Sequence, residues 1–299
     1  MSVLILMSTY NGSKFIETQL DSILAQNYPD IKVLIRDDGS SDSTCQLLDI
    51  YSQRYSQISW YSGKNIGVQR SFFDLINHAD LNYEFYAFSD QDDQWLPEKI
   101  SKAVEILGRI EPNIPSLYCS DKIIVDYNLK ELKTNVSRSV KKPSFGNALV
   151  QNICTGCASV INNALLQLVK NRTPEFAIMH DWWIYLVASC YGVVYYDDHA
   201  YIKYRQHDNN TSGAIVSKRK LLVYRINQLK KPRGEIYIQL KEFKRIYMPD
   251  EQHLKLLESV LQSEQSILGR FKVMFNHKLY RQKGIDNYVF KLVVLLGKL

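Results

Sequence analysis

The chain has 299 residues, 45% hydrophobic and 23% charged, which is long enough to bury a full core and is neither disordered nor membrane-spanning in composition. Its five cysteines are an odd number, and no secretory leader precedes them, so reduced thiols in the cytoplasm are expected instead of a disulfide framework. The net charge of +6 is uneven: residues 1–214 carry 19 Lys/Arg against 24 Asp/Glu, whereas residues 215–299 carry 18 against 7. An acidic body with a basic tail predicts that the tail meets something anionic or forms a solvated helical face.

The first half reads as alternating strands and helices. Val3 to Met7 is an apolar run of buried-strand length, and Phe15, Gln19, Ile23 and Gln26 follow at helical spacing. Ile31 to Ile35 repeats the strand signal. Ser41-Asp42-Ser43 forms a cap cluster before the next helix. A third strand is predicted at Ile58 to Tyr61, a helix from about Gln69 to Asn77, and a fourth strand at Phe85 to Phe88. This alternation predicts an α/β fold with a mostly parallel sheet covered on both faces, which binds ligands at the carboxyl ends of its strands. Four polar clusters sit at those ends: Ser8 to Gly12, Arg36 to Ser40, Gly63 to Gly67 and Ser89 to Asp93.

The last cluster is the most informative. In Ser89-Asp90-Gln91-Asp92-Asp93, three carboxylates fall within four positions directly after an aromatic-rich strand. Acids so crowded repel one another unless a cation sits among them, and a hard divalent ion takes carboxylate and phosphate oxygens. A solvated acidic turn capping the helix after Pro97 would use the same residues. Cys154-Thr155-Gly156-Cys157 has C-x-x-C spacing, but one pair cannot complete a four-ligand zinc site, so buried structural thiols are expected.

These motifs resemble the family 2 glycosyltransferases of the GT-A fold, a Rossmann-like sheet flanked by helices. The resemblance rests on Met7-Ser8-Thr9-Tyr10-Asn11, Asp37-Asp38-Gly39-Ser40-Ser41-Asp42, Asn65-Ile66-Gly67 and Ser89 to Pro97. It continues through Thr155-Gly156-Cys157-Ala158, His180-Asp181-Trp182-Trp183 and Tyr204 to Asn210. It covers about the first 214 residues and implies a catalytic domain over 1–214 followed by a basic helical region over 215–299. The Arg205-Gln206-His207 segment with Asn210 is most similar to bacterial rhamnosyltransferases of cell-wall or O-antigen polysaccharide synthesis.

The resemblance implies roles for individual residues. Ser8 and Tyr10 would border the nucleoside, Asp38 would accept the N3 proton of uracil or thymine, and Asn65 would belong to the same nucleotide site. Asp90 would lie near the ribose and Asp93 would turn toward the sugar. Asp92 would bind Mg²⁺ or Mn²⁺ on the diphosphate, with His207 completing that site. Asp181 would be the general base of an inverting transfer, capping the helix that follows it. One of Trp182 and Trp183 is expected in the core, the other available to stack on sugar. The implied donor is dTDP-β-L-rhamnose or a UDP-hexose, and the implied acceptor is a lipid-linked saccharide. The Q-x-x-R-W motif of processive synthases does not occur in the sequence.

From Val216 onward helical periodicity dominates, in Leu221 to Leu229 and in Leu254, Leu257 and Leu261, with breaks at Pro232 and Pro249. Tyr288 to Leu296 is apolar but far shorter than the roughly 20 residues of a spanning helix. Peripheral contact with the inner face of an anionic membrane is expected here, with a homodimer interface as a compatible use of the apolar stripe. Lys122 to Ser144 is expected to border the acceptor pocket, with a mobile stretch around Thr134 to Pro143. Nucleic-acid binding is the main non-enzymatic rival, but the chain carries no recognised nucleic-acid motif. An inactive sugar-nucleotide-binding module is a second alternative. A nucleotidyltransferase would show a glycine-rich basic loop after its first strand, where this chain has Ser8 to Ser13.

Overall fold

A computed structural model of the chain describes residues 1–132, 141–207 and 234–299. The expected elements around Leu221 to Leu229, the break at Pro232, Asp208 to Asn210 and most of the stretch from Thr134 to Pro143 lie outside the described residues.

Continuous apolar runs become the central strands, because a strand covered on both faces has no use for polar alternation. β1 (Val3–Thr9) is buried along its whole length, and α1 (Ile16–Leu24) turns Ile16, Leu20 and Ile23 into the same core. β2 (Ile31–Asp37), α2 (Thr44–Arg54), β3 (Ile58–Ser62), α3 (Val68–His78) and β4 (Phe85–Ser89) follow; the strands and α3 lie within two residues of their predicted bounds, and α2 begins directly after the predicted cap cluster. The cap cluster acts through Asp42, whose Oδ1 accepts from Thr44 N at 3.0 Å, while Ser43 occupies the cap position without a side-chain bond.

A short β5 (Gln94–Trp95) and α4 (Lys99–Leu107) lead to β6 (Ser116–Val125). After α5 (Phe145–Ala148) and a single 3₁₀ turn at Gly156–Ala158 come β7 (Ser159–Asn162), α6 (Asn163–Val169), α7 (His180–Tyr191) and β8 (Val193–Arg205). The strand order is β3-β2-β1-β4-β7-β6-β8-β5. The first four are parallel neighbours, β7 reverses direction against both β4 and β6, and β5 pairs antiparallel with β8. The sheet is therefore mixed in its second half, which the strand and helix alternation of the first half did not foreshadow.

Four further helices close the described chain: α8 (Glu235–Ile246), α9 (Glu251–Gln262), α10 (Ile267–Phe275) and α11 (Gly284–Leu295). α8 packs on the sheet-bearing body, with Phe243 against Trp183 in a T-shaped pair at 5.9 Å and Gln239 Oε1 accepting from Ile178 N at 2.9 Å. Among the described residues no helix is long and apolar enough to cross a membrane.

Candidate active site

Parallel register decides where the polar strand ends meet. Thr9 pairs with Asp37, Asp37 with Ser62, and Met7 with Ser89, so the four clusters predicted at strand ends stand on one rim. Asp37 organises the β2 end from a fully buried position. Burial alone would raise its pKa, but donors from Ser40, the Cys45 thiol and Thr9 overcome that and hold it below the usual carboxylate range.

The expected nucleoside residues line the first part of this rim. Tyr10 is 47% exposed, with its backbone N–H and C=O clamped by the Gln91 amide at 2.8 and 3.0 Å. Ser8 is buried, and its hydroxyl meets Ser71 Oγ at 2.6 Å. Asp38 is also buried: it pairs with Arg36 at 2.5 Å and accepts the N–H groups of Ile66 and Gly67, both at 2.9 Å. It thus ties the loop after β3 to β2 in the structure. Asn65 is exposed beside Gly39, whose φ of 78° is the left-handed region that glycine adopts without strain and where an added Cβ would stand 3.2 Å from Asn65 N.

The acidic knot separates into three environments. Asp92 meets His207 Nε2 at 2.7 Å, and both side chains are mostly shielded from solvent. His207 stacks on Phe15 at 4.9 Å, and the Arg205 guanidinium lies 4.9 Å from the centre of the same ring. Asp93 is wholly buried and accepts from Arg205 N at 3.0 Å, so it bolts the end of β8 to the knot from beneath and does not stand on the open face. Burial first, then Asp92 and Asp90, push its carboxyl well above the usual range. Asp90 is half-buried and pushed up to about 7 by burial, by Asp92 and by Asp181, with the Cys157 thiol and Lys122 acting the other way.

Cys157 explains the C-x-x-C pair. Its sulfur lies within 4.8 Å of carboxylate oxygens of Asp90 and Asp93, and its thiol donates to them. Cys154 is buried beside Cys119, so both members of the C-x-x-C pair are buried. Beneath the knot the buried Lys99 ammonium sits 3.6 Å from the Trp95 ring, its pKa lowered by burial to about 8 and partly restored by Cys157, Cys119 and Asp93.

As a test for a hard cation, Asp92 and His207 offer a carboxylate oxygen and an imidazole nitrogen facing each other beside the repelling Asp90. That donor set suits Mg²⁺ or Mn²⁺ when phosphate oxygens complete the shell. Cys157 is a poor ligand for either ion, because thiolate is soft.

Asp181 lies near enough to the knot to raise the pKa of Asp90. α7 begins at His180 after Met179, so Asp181 sits in the first turn and does not precede the helix as a cap. Its Oδ2 accepts from Gly156 N at 2.9 Å and its Oδ1 from Trp182 N at 2.6 Å, both at the positive end of the helix. Burial outweighs these donors and lifts its pKa to about 6. Trp183 is the core tryptophan, whereas Trp182 is half-buried with its ring N–H on Ala148 O at 2.7 Å.

Three site residues were given no role from the sequence: Lys122 only opens the expected acceptor region, and Gly156 and His180 stand in motifs beside residues with assigned roles. Lys122 on β6 donates to Thr155 Oγ1 at 3.0 Å, lies 4.2 Å from the Tyr204 ring, and is the cation that lowers both Asp90 and Asp181. Gly156 leaves room for its neighbours: an added Cβ would meet His180 Nε2 at 2.7 Å. His180 itself is buried, stacked on Phe72 at 3.9 Å, and kept neutral by burial with a pKa near 3.

The chain belongs to glycosyl transferase family 2, whose model matches residues 4–168. A dTDP-rhamnosyl transferase of Shigella flexneri, RfbG, is 32% identical over 227 residues, covering 71% of this chain and 75% of that protein. An uncharacterized glycosyltransferase of Haemophilus influenzae is 24% identical over 298 residues, 91% of this chain and 88% of that one. Among solved structures, S. aureus TarS 1–349 in complex with UDP-GlcNAc aligns over 100% of this chain and 93% of its own, with a TM-score of 0.57 and 18% identity. The mannosyltransferase PcManGT of Pyrobaculum calidifontis, in complex with GDP-Man and Mn²⁺, has a TM-score of 0.57 at 16% identity over 98% of this chain and 74% of its own. Both likenesses bear out the α/β GT-A fold. The family match ends before Asp181 and His207, so their placement rests on the structure.

Proposed function

We propose that the chain is an inverting, metal-dependent glycosyltransferase that moves L-rhamnose from dTDP-β-L-rhamnose onto a lipid-linked saccharide in bacterial surface polysaccharide synthesis. The observation that carries this reading is the convergence of Asp181 and the Asp90-Asp92-His207 group on one rim, joined electrostatically through Asp90 and Lys122. The similarity to a dTDP-rhamnosyl transferase supports the donor. A UDP-hexose is the rival donor.

A divalent ion held by Asp92 and His207 would neutralise charge on the leaving diphosphate. Tyr10 offers its exposed ring to the base, and Asp38 holds the loop that borders it. Asp181, already ordered by two backbone donors, accepts the proton of the acceptor hydroxyl as that oxygen attacks the donor carbon from the face opposite the diphosphate. A pKa near 6 leaves it ionised yet basic enough for that transfer near neutrality. The bond from the sugar to the diphosphate breaks as the new glycosidic bond forms, and the product is the α-L-rhamnoside.

The test incubates the purified protein with a panel of nucleotide sugars, detergent-extracted bacterial glycolipids and Mg²⁺ or Mn²⁺, following nucleoside diphosphate release beside Asp181→Asn. Metal-dependent release from dTDP-L-rhamnose that disappears in the variant is the expected result. Release from a UDP-hexose alone would replace the donor, and a β-linked rhamnoside would overturn the inverting mechanism.

A further inference from the structure

The last two helices present apolar side chains on the wrong side for a soluble fold. On α10, Gly269 and Val273 face inward, while Leu268, Phe271 and Phe275 follow at i, i+3 and i+7 on the open side, 75%, 43% and 75% exposed. On α11, Phe290 and Val294 are buried, while Ile285, Tyr288 and Leu292 repeat that spacing outward, 66%, 77% and 52% exposed. Both helices satisfy their core contacts with one stripe and carry a second stripe that stands exposed, with no partner among the described residues. An unpartnered patch of this kind marks a docking surface.

Charge selects the occupant. Residues 266–299 hold seven Lys/Arg against one Asp/Glu, and Lys272, Lys278 and Lys283 are exposed on and between these two helices. A two-fold contact with a second copy would set the same basic surface against itself. An anionic bilayer supplies both complements at once, a hydrocarbon boundary for the stripes and headgroup phosphates for the lysines.

The connection between the helices is fastened to the catalytic body. Tyr280 O accepts from Asn147 Nδ2 at 2.9 Å, the Tyr280 hydroxyl donates to Lys142 O at 2.8 Å, and Gln282 N donates to Gln151 Oε1 at 2.8 Å. The segment so held runs on to Gly156, whose N–H orders Asp181. We propose that the outward stripes of α10 and α11 insert at the surface of an anionic phospholipid membrane and hold the Asp181 side of the site next to it. The proposal rests on the lipid-linked acceptor for its purpose, while the surface itself stands on exposure and charge.

The experiment sediments the full chain with vesicles of phosphatidylcholine alone or mixed with phosphatidylglycerol. Binding to the mixed vesicles at low salt and its loss at high salt are expected. The exposed double variant Leu268→Glu/Phe275→Glu should lower partitioning by more than about tenfold, and Lys272→Gln or Lys283→Gln by about fivefold each. A Phe275→Trp variant should show an emission blue shift on mixed vesicles. Nucleoside diphosphate release with a water-soluble acceptor analogue should be unchanged in the double variant; absence of any such release together with intact vesicle binding would sink the enzymatic reading and leave the surface standing. Failure of the wild-type chain to bind mixed vesicles would overturn the proposal. So would a lipid-free dimer that the double variant dissociates, which would assign the stripes to a second copy.

Discussion

Asp181 combines two opposed influences. Burial raises its pKa to about 6, while the N–H groups of Gly156 and Trp182 and the charge of Lys122 favour the ionised form. A base must be deprotonated to act, so kcat/KM should be flat above neutrality and fall as pH drops through about 6. Asp181→Asn should reduce kcat by about 10²–10⁴-fold with nucleotide affinity retained. A pH profile that keeps its acid limb in a residual-activity assay of the variant would transfer that limb to another group. Gly156 is the second residue on which the proposed base depends. In Gly156→Ala the new methyl would stand 2.7 Å from the buried His180 ring, so either the ring or the turn must move. Overpacking of this kind costs about 1–3 kcal/mol, to be measured by denaturant unfolding, and the displaced N–H should lower kcat at saturating donor. Unchanged stability and rate together would show that the turn is slack.

Between elements, the site depends on contacts that join distant parts of the chain. The parallel half could be read from the sequence because each of β1, β2 and β4 is a short apolar run ended by a polar cluster, and register then aligns those clusters. The second half was hidden, because β5 has two residues and pairs Gln94 with Lys203, and because β7 inserts against the direction of both neighbours. Asp92, His207 and Asp181 were legible through their motifs, whereas Lys122 is one lysine among many until β6 places it beside Thr155 and Tyr204. The same long-range logic applies to Asp38. Its pairing with Arg36 is buried on both sides, and it also satisfies Ile66 N and Gly67 N. Asp38→Ala would strand these donors and a buried guanidinium. Asp74, 2.9 Å from Arg36, remains to moderate the loss, so a cost of about 3 kcal/mol is expected in urea unfolding. A value near zero would mean that the loop after β3 is not held through this carboxylate.

For the whole molecule, the acidic rim should make folding stability depend on pH and, through the proposed ion, on cations. Asp90 has an ordinary value of 3.8 and is raised to about 7 in the fold, and Asp181 is raised to about 6. Between those limits the unfolded chain has released protons that the folded chain still holds, so stability falls as pH rises through the window, and the whole penalty is present above about 7. A divalent ion beside Asp92 and His207 would offset the repulsion only where the carboxylates are ionised. Millimolar Mg²⁺ or Mn²⁺ should therefore raise Tm by several degrees at about pH 8 and by much less at about pH 5. Asp92→Asn should abolish the difference, since it removes a ligand while leaving Asp90 and Asp181 in place. The measurement is a thermal melt at both pH values, with and without metal, at constant ionic strength so that general screening does not mimic binding. Equal shifts at the two pH values, or a shift that persists in Asp92→Asn, would place the ion elsewhere on the acidic body.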